Sequence, residues 1–184
     1  MLVQLCGLSG AGKTTLANKV KIKLIDYGVK VEIIDGDEYR RTLCKDLGFS
    51  KSDRLENIRR LGVVAGVLSA HGIVTIISAI NPYEEARKEL KSTYGNVKTV
   101  YLECELETLI SRDTKGLYKR ALMPEGNHDK VYNLTGVNDN FDIPVNPDLL
   151  INTGVENIDE SATKLFRFIR ENLQPLAGKQ KLLK

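Results

Sequence analysis

Leu2-Val3-Gln4-Leu5-Cys6-Gly7-Leu8-Ser9-Gly10-Ala11-Gly12-Lys13-Thr14-Thr15 is the stretch that decides the fold. Residues 2–6 form a mostly apolar run that predicts a buried strand, and residues 7–14 fit the phosphate-binding pattern G-x-x-x-x-G-K-[ST]. A glycine-rich turn between a strand and a helix aims several backbone N–H groups at one point, and a helix starting near Lys13 adds the positive end of its dipole. Anionic phosphate oxygens fit there. Gly7, Ser9, Gly10, Ala11, Gly12, Lys13, Thr14 and Thr15 are therefore the candidate nucleotide-binding residues. Lys13 can reach the β- and γ-phosphates as a point charge, and the Thr14 hydroxyl suits the Mg²⁺ that accompanies ATP or GTP. The loop alone does not choose between these nucleotides, nor between a kinase, a GTPase, an ATPase motor and a nucleotide-operated switch.

Downstream of the loop, short apolar runs alternate with helical segments. The pattern predicts strands at 2–6, 30–34, 73–80, 97–103 and 148–152, and helices at 13–27, near 37–44, at 51–70, 83–93, 105–112 and 156–173. Such alternation implies an α/β fold, a parallel sheet of five strands with helices on both faces. Ser50-Lys51-Ser52-Asp53 is a capping-box pattern that marks a helix start at Lys51. The last helix places Ile158, Ala162, Leu165, Ile169 and Leu173 on one stripe, which predicts that it closes the core. From Asp113 to Pro147 the pattern breaks into Gly, Asn, Asp and Pro, with one short helix expected near Leu117 to Leu122. A segment this long inside a compact domain predicts a mobile lid, here over 113–145. The tail 174–184, with Lys179, Lys181 and Lys184, reads as a solvated end.

The 184 residues, 42% hydrophobic and 28% charged, suit one globular domain over 1–184. A net charge of +3, from 27 basic and 24 acidic residues, is too small to argue for nucleic acid, though it accommodates anionic substrates. No apolar run approaches the roughly 20 residues that cross a bilayer, and the chain starts in a core strand without a basic, cleavable leader. The expectation is a cytoplasmic protein with no membrane partner. Cys6, Cys44 and Cys104 are odd in number and widely spaced, so they read as small core residues rather than ligands or disulfide partners.

The strand expected at 30–34 runs into Asp35-Gly36-Asp37-Glu38-Tyr39-Arg40, which brings two carboxylates and an arginine to the carboxyl edge of the sheet, where such folds bind ligands. One carboxylate could support Mg²⁺ while the other orients or deprotonates an acceptor hydroxyl. Helix capping by either acid is the plainer alternative. Next comes Leu47-Gly48-Phe49-Ser50-Lys51-Ser52-Asp53-Arg54-Leu55-Glu56-Asn57-Ile58-Arg59-Arg60, in which Arg54, Asn57 and Arg60 recur at i, i+3 and i+6. That face could bind a doubly anionic group and Phe49 could stack on a base; a solvated charged face is the other reading.

Taken together, the glycine-rich loop, Asp-Gly-Asp-x-x-Arg, Leu-Gly-Phe-Ser-x-x-Asp-Arg-x-Glu-Asn-Ile-Arg-Arg, Asp113-Thr114-Lys115-Gly116-Leu117-Tyr118-Lys119, Thr135-Gly136-Val137 and Asn146-Pro147 resemble the adenylylsulfate (APS) kinases, a family of P-loop kinases. The resemblance implies a three-layer α/β/α domain with a lid, ATP and Mg²⁺ as cofactors, and transfer of the γ-phosphoryl group to the 3′-hydroxyl of adenosine 5′-phosphosulfate. It implies that Asp37 orients or deprotonates that hydroxyl and that Asp35 and Thr14 support the metal. Arg40, Arg54 and Asn57 would hold the phosphosulfate and ribose side, Phe49 would contact adenine, and Lys115 would approach the acceptor from the lid hinge. Ile80, Asn81, Leu134 and Thr135 fall at the remaining acceptor positions. The family is commonly dimeric, which leaves a homodimer possible, and ATP sulfurylase is the implied upstream enzyme.

The chain departs from the family pattern around the acceptor. Ile80-Asn81-Pro82-Tyr83 has asparagine where the family usually has a serine that bacterial members can phosphorylate, which predicts direct transfer with no phosphate at position 81. Glu84-Glu85-Ala86-Arg87 keeps a single arginine; its acidic pair would repel an anionic acceptor, or else stabilise a helix through its first turn. The lid is longer than usual, and Leu134 stands where a phenylalanine normally packs on adenine. A sister kinase acting on another nucleotide anhydride, such as cytidine diphosphoramidate, and a non-catalytic nucleotide-binding regulator are the alternatives.

Overall fold

The computed structural model describes residues 1–173; the expectation for the tail 174–184 lies outside them. At its centre is β1 (Leu2–Cys6), buried at all five positions. That burial is what a parallel strand covered on both faces requires. Around it stand β2 (Val31–Asp35), β3 (Val74–Ser78), β4 (Val97–Glu103) and β5 (Leu149–Asn152), all parallel, in the order β2-β3-β1-β4-β5. The chain winds from β1 outward to β2, back to β3, then across β1 to β4. The crevice at the carboxyl ends of β1, β3 and β4 is therefore the topological switch point where such sheets receive ligands.

Successive side chains in a strand face opposite sides, so each strand feeds two cores. Val3, Leu5, Ile76, Val100 and Leu102 pack on one side with Leu16, Val20 and Leu24 of α1 (Lys13–Asp26) and Ala162, Leu165 and Ile169 of α7 (Ile158–Asn172). Leu2, Ile34 and Ile77 pack on the other with Ile58, Leu61 and Ala65 of α3 (Lys51–Ala70) and Leu90 of α4 (Glu84–Thr93). This makes three layers. On the expected stripe of α7, Leu173 also packs against the core, whereas Ile158, in the first turn, stays exposed.

Caps set the helix boundaries. Ser50 Oγ accepts from Asp53 N at 3.2 Å, as its sequence pattern predicts, and Asn157 with Glu160 forms a complete capping box on α7. The helix expected near 37–44 is instead a single turn, α2 (Gly36–Tyr39), followed by turns to Asp46. Hydrogen bonds from distant side chains hold those turns: Arg60 Nη1 donates to Leu43 O at 2.9 Å, and Arg40 Nη1 donates to Gly48 O at 2.9 Å. α5 (Leu106–Arg112) leads up to the segment 113–145, within which α6 (Leu117–Ala121) is helical. Gly62 and Gly66 give α3 a smooth face on which Leu90 and the Tyr94 ring lie directly. The three cysteines are free and buried, and no described helix is long and apolar enough to cross a membrane.

Candidate active site

The phosphate loop leaves β1 at Gly7, whose φ of 149° and whose position leave no room for a side chain: a Cβ there would lie 2.5 Å from Leu102 O. Ser9, Gly10, Ala11 and Gly12 complete the turn, and α1 begins at Lys13. Lys13 folds back over the loop, with Nζ donating to Gly7 O at 2.9 Å and Leu8 O at 2.7 Å. Burial pushes its ammonium down to about 8. Thr14 and Thr15 are exposed at the start of the helix.

Thr14 Oγ1 donates to Asp35 Oδ2 at 2.8 Å and lies 3.1 Å from Ser78 Oγ. Asp35 Oδ1 accepts from Asp37 N at 2.9 Å and Glu38 N at 3.3 Å. Asp35 thus caps α2 with one oxygen, as the plainer sequence reading has it, and meets the Thr14 hydroxyl with the other. A hydroxyl and a carboxylate beside a phosphate site are oxygen donors of the kind Mg²⁺ accepts, with the nucleotide and water supplying the rest. Among the described residues there is no cluster of three or more His, Cys, Asp or Glu able to hold a metal by itself.

Next to the loop is a cavity of about 530 Å³. It is lined by Ser9 of the loop and by Asp37, Arg40, Phe49, Arg54, Asn57, Ile80, Asn81, Lys115, Leu134 and Thr135, which brings every expected acceptor residue to one place. Lys115 Nζ lies 2.6 Å from Asp37 Oδ2, an ion pair that spans the gap between lid and strand edge. The Arg40 guanidinium lies 4.5 Å and that of Arg54 5.4 Å from the centre of the Phe49 ring, which is half-exposed. Arg54 is buried, and its Nε donates to Phe49 O at 3.0 Å and its Nη2 to Asn133 O at 2.6 Å. Asp139 Oδ2 also approaches Nη2 at 2.9 Å, a charge contact that falls short of an aligned hydrogen bond. Asn57 Oδ1, Asn81 Oδ1 and Thr135 Oγ1 are buried without a partner, all on residues of this cavity.

Arg60 does not join Arg54 and Asn57 there; it pairs with Asp46 at 2.6 Å and Glu56 at 2.8 Å. Six residues advance a helix by about 600°, which leaves that side chain about 120° from Arg54. Glu84 and Glu85 occupy the first turn of α4, where Glu84 pairs with Arg87 at 2.8 Å and Glu85 with Lys51 at 3.2 Å. Neither lines the cavity, so the helix-terminus reading of this pair holds.

The lid is docked at both ends. Tyr118 OH donates to Ser9 O at 2.8 Å, and burial pushes its phenol up to about 12. At the far end Arg87, itself buried, donates from Nη2 to Asp142 O at 2.5 Å, and Asp142 N donates to Pro82 O at 2.8 Å. Arg41, Ile58, Leu117, Val131, Tyr132 and Asn133 also line the cavity and were not singled out from sequence. Residues 131–133 belong to an irregular stretch with no periodicity to read; for Arg41 and Ile58, adjacency to Arg40 and Asn57 was the available signal.

A family model described as adenylylsulphate kinase matches residues 1–152. The chain is similar to the adenylyl-sulfate kinase of Microcystis aeruginosa, with 43% identity over 169 residues that cover 92% of this chain and 91% of that protein. The structure is similar to that of the APS kinase of Mycobacterium tuberculosis in complex with AMPPNP and APS, with a TM-score of 0.85 and 34% identity over 92% of this chain and 96% of that one. The hexameric APS kinase of Thiobacillus denitrificans matches with a TM-score of 0.67 and 26% identity, over 92% of this chain and 28% of that one.

Proposed function

The chain belongs to the adenylylsulfate kinase family, and on that footing we propose how its residues divide the work. The reaction moves the γ-phosphoryl group of ATP to the 3′-hydroxyl of adenosine 5′-phosphosulfate, giving 3′-phosphoadenosine 5′-phosphosulfate and ADP in sulfate assimilation, with Mg²⁺ as the metal. Neither a sister kinase for another nucleotide anhydride nor a non-catalytic regulator is favoured by these likenesses.

The observation that carries the assignment of roles is the single cavity joining Asp37, Arg40, Arg54, Asn57 and Lys115 to Ser9 of the phosphate loop. The loop N–H groups receive the ATP phosphates, and Lys13 exchanges its two carbonyl partners for phosphate oxygens. Bound Mg²⁺ would neutralise phosphate charge, held by Thr14 and Asp35. Asp37 accepts the proton of the 3′-hydroxyl as that oxygen bonds to the γ-phosphorus and the bond to the β,γ-bridging oxygen breaks. Lys115, released from Asp37, turns to the charge on the transferring group. Arg40, Arg54 and Asn57 hold the phosphosulfate and ribose side, and Phe49 and Leu134 lie against adenine, with Ile80, Asn81 and Thr135 completing the wall. Such a site works by positioning and charge neutralisation, and the docked lid excludes water that would hydrolyse ATP.

The test is ADP release from MgATP with APS, AMP, CMP, CDP or cytidine diphosphoramidate as acceptor, with product mass measured. APS alone should give rapid turnover, and Asp37→Asn should lower kcat about 10²–10⁴-fold; a loss under about threefold would leave Asp37 a structural group. ATP sulfurylase is the proposed supplier of the acceptor, because APS must come from a reaction joining sulfate to the adenylyl group of ATP. The proposal extends to a cytoplasmic location, beside the ATP supply, to one domain over 1–184, and to a homodimer as the simplest assembly.

A further inference from the structure

Gln4 is fully buried in the middle of β1, where every other residue is apolar. An amide in such a place is costly unless its hydrogen bonds are made. Its Nε2 donates to Arg87 O at 3.1 Å and to Thr99 Oγ1 at 2.9 Å. A backbone carbonyl can only accept, so the amide has one orientation, and its Oε1 faces Asn81 and accepts from Nδ2 at 2.9 Å. The second amide is thereby oriented by the first. Arg87 holds the same residue from the main-chain side, Nη1 donating to Asn81 O at 2.7 Å. Asn81 is fixed at both ends in a left-handed conformation, φ 47°, which asparagine enters more readily than most other non-glycine residues.

This turn lies between the two halves of the site. Ile80 O accepts from Gly7 N at 3.2 Å, at the root of the phosphate loop, while Ile80, Asn81 and Pro82 line the acceptor cavity. We propose that Gln4 is a positioning residue for the acceptor nucleotide: without touching substrate, it holds Asn81 and the Ile80–Pro82 turn in the conformation the acceptor fits. The proposal rests on the reading of this cavity as the APS site.

The experiment is steady-state kinetics with MgATP and APS on Gln4→Met, Asn81→Gly and the double variant, with thermal midpoints. Methionine keeps the length of glutamine and removes the oxygen that Asn81 needs; an unpartnered buried donor is costly enough to shift binding about tenfold. Gln4→Met should raise KM for APS about tenfold and leave kcat and KM for MgATP within about twofold. Asn81→Gly, which tolerates the left-handed φ and removes the amide that meets Gln4, should also raise KM for APS, and the double variant should be no worse than the poorer single, because both remove one interaction. An unchanged KM for APS with a lowered midpoint would make Gln4 a packing residue and overturn the proposal, as would multiplying effects in the double variant. If Gln4→Met does not fold, Gln4→Asn, an amide too short for the same span, carries the comparison. No APS-dependent ADP release from the unmodified chain would overturn the reaction and the proposal together, whereas normal release with unmoved KM values would overturn the proposal alone.

Discussion

Lys13 is a buried lysine whose charge is tied to its surroundings. It is buried against two carbonyls with its ammonium pushed down to about 8, so it is protonated below that pH and increasingly neutral above it. Phosphate anions favour the charged form and restore its proton. Above pH 8, MgATP binding must therefore take up a proton, and affinity should fall by up to about tenfold per pH unit once the free lysine is neutral. Calorimetry of ATP-analogue binding at pH 8.5, in two buffers of different ionisation enthalpy, should show uptake approaching one proton, absent in Lys13→Ala; no uptake would mean that the lysine stays charged throughout. The sequence showed this residue plainly because its role follows from a local pattern. Asp139 and Asn133 were not legible as partners of Arg54, since they are 85 and 79 residues away in the chain (139 − 54 and 133 − 54) and only folding brings them to the guanidinium.

At the scale of elements, α3 is the most constrained, because it carries acceptor residues on its first turns and packs on α4 farther along. A Cβ added at Gly66 would lie 2.4, 2.6 and 3.1 Å from three atoms of the Tyr94 ring. Alanine is favoured over glycine in a helix by about 1 kcal/mol, but overpacking against a ring that cannot fold away costs about 1–3 kcal/mol. Gly66→Ala should thus lower the thermal midpoint, by about 2–4 °C for each kcal/mol of net loss in a chain of this size; a higher midpoint would show that the ring yields freely. Strands and long helices were legible because burial imposes their periodicity, and β1 and α3 begin and end where the sequence predicts. The helix expected near 37–44 was not, because Arg40 and Arg60 bend the chain after Tyr39 through contacts that local propensity does not contain. Similarly, Arg87 reads in sequence as a residue left from an acceptor-binding run, yet it is buried and ties Asn81 to Asp142.

In the whole molecule, the sheet's carboxyl edge supplies the phosphate loop and Asp37, and the lid supplies Lys115, Leu134 and Thr135 to the same cavity. Donor and acceptor can then be held at once and the phosphoryl group can pass directly between them, with no stop at position 81, where the amide is already engaged with Gln4. Initial rates with both substrates varied should give intersecting double-reciprocal lines, and the chain should retain no label from γ-labelled ATP; parallel lines with a turnover-competent phosphoprotein would show a two-step transfer. The segment that carries the lid leaves the sheet after Glu103 in β4 and returns at Leu149 in β5, and these strands are hydrogen-bonded neighbours. The strands run parallel, with Glu103 opposite Asn152 and Leu149 opposite Val100, so the segment leaves at the carboxyl end of β4 and returns to the start of β5, both ends fixed by strand pairing, and doubling such a loop costs only about 0.6 kcal/mol in closure entropy. A change of length between those anchors would leave the strand pairing in place, so the cover of the site can be lengthened or trimmed without moving the edge that carries the phosphate loop.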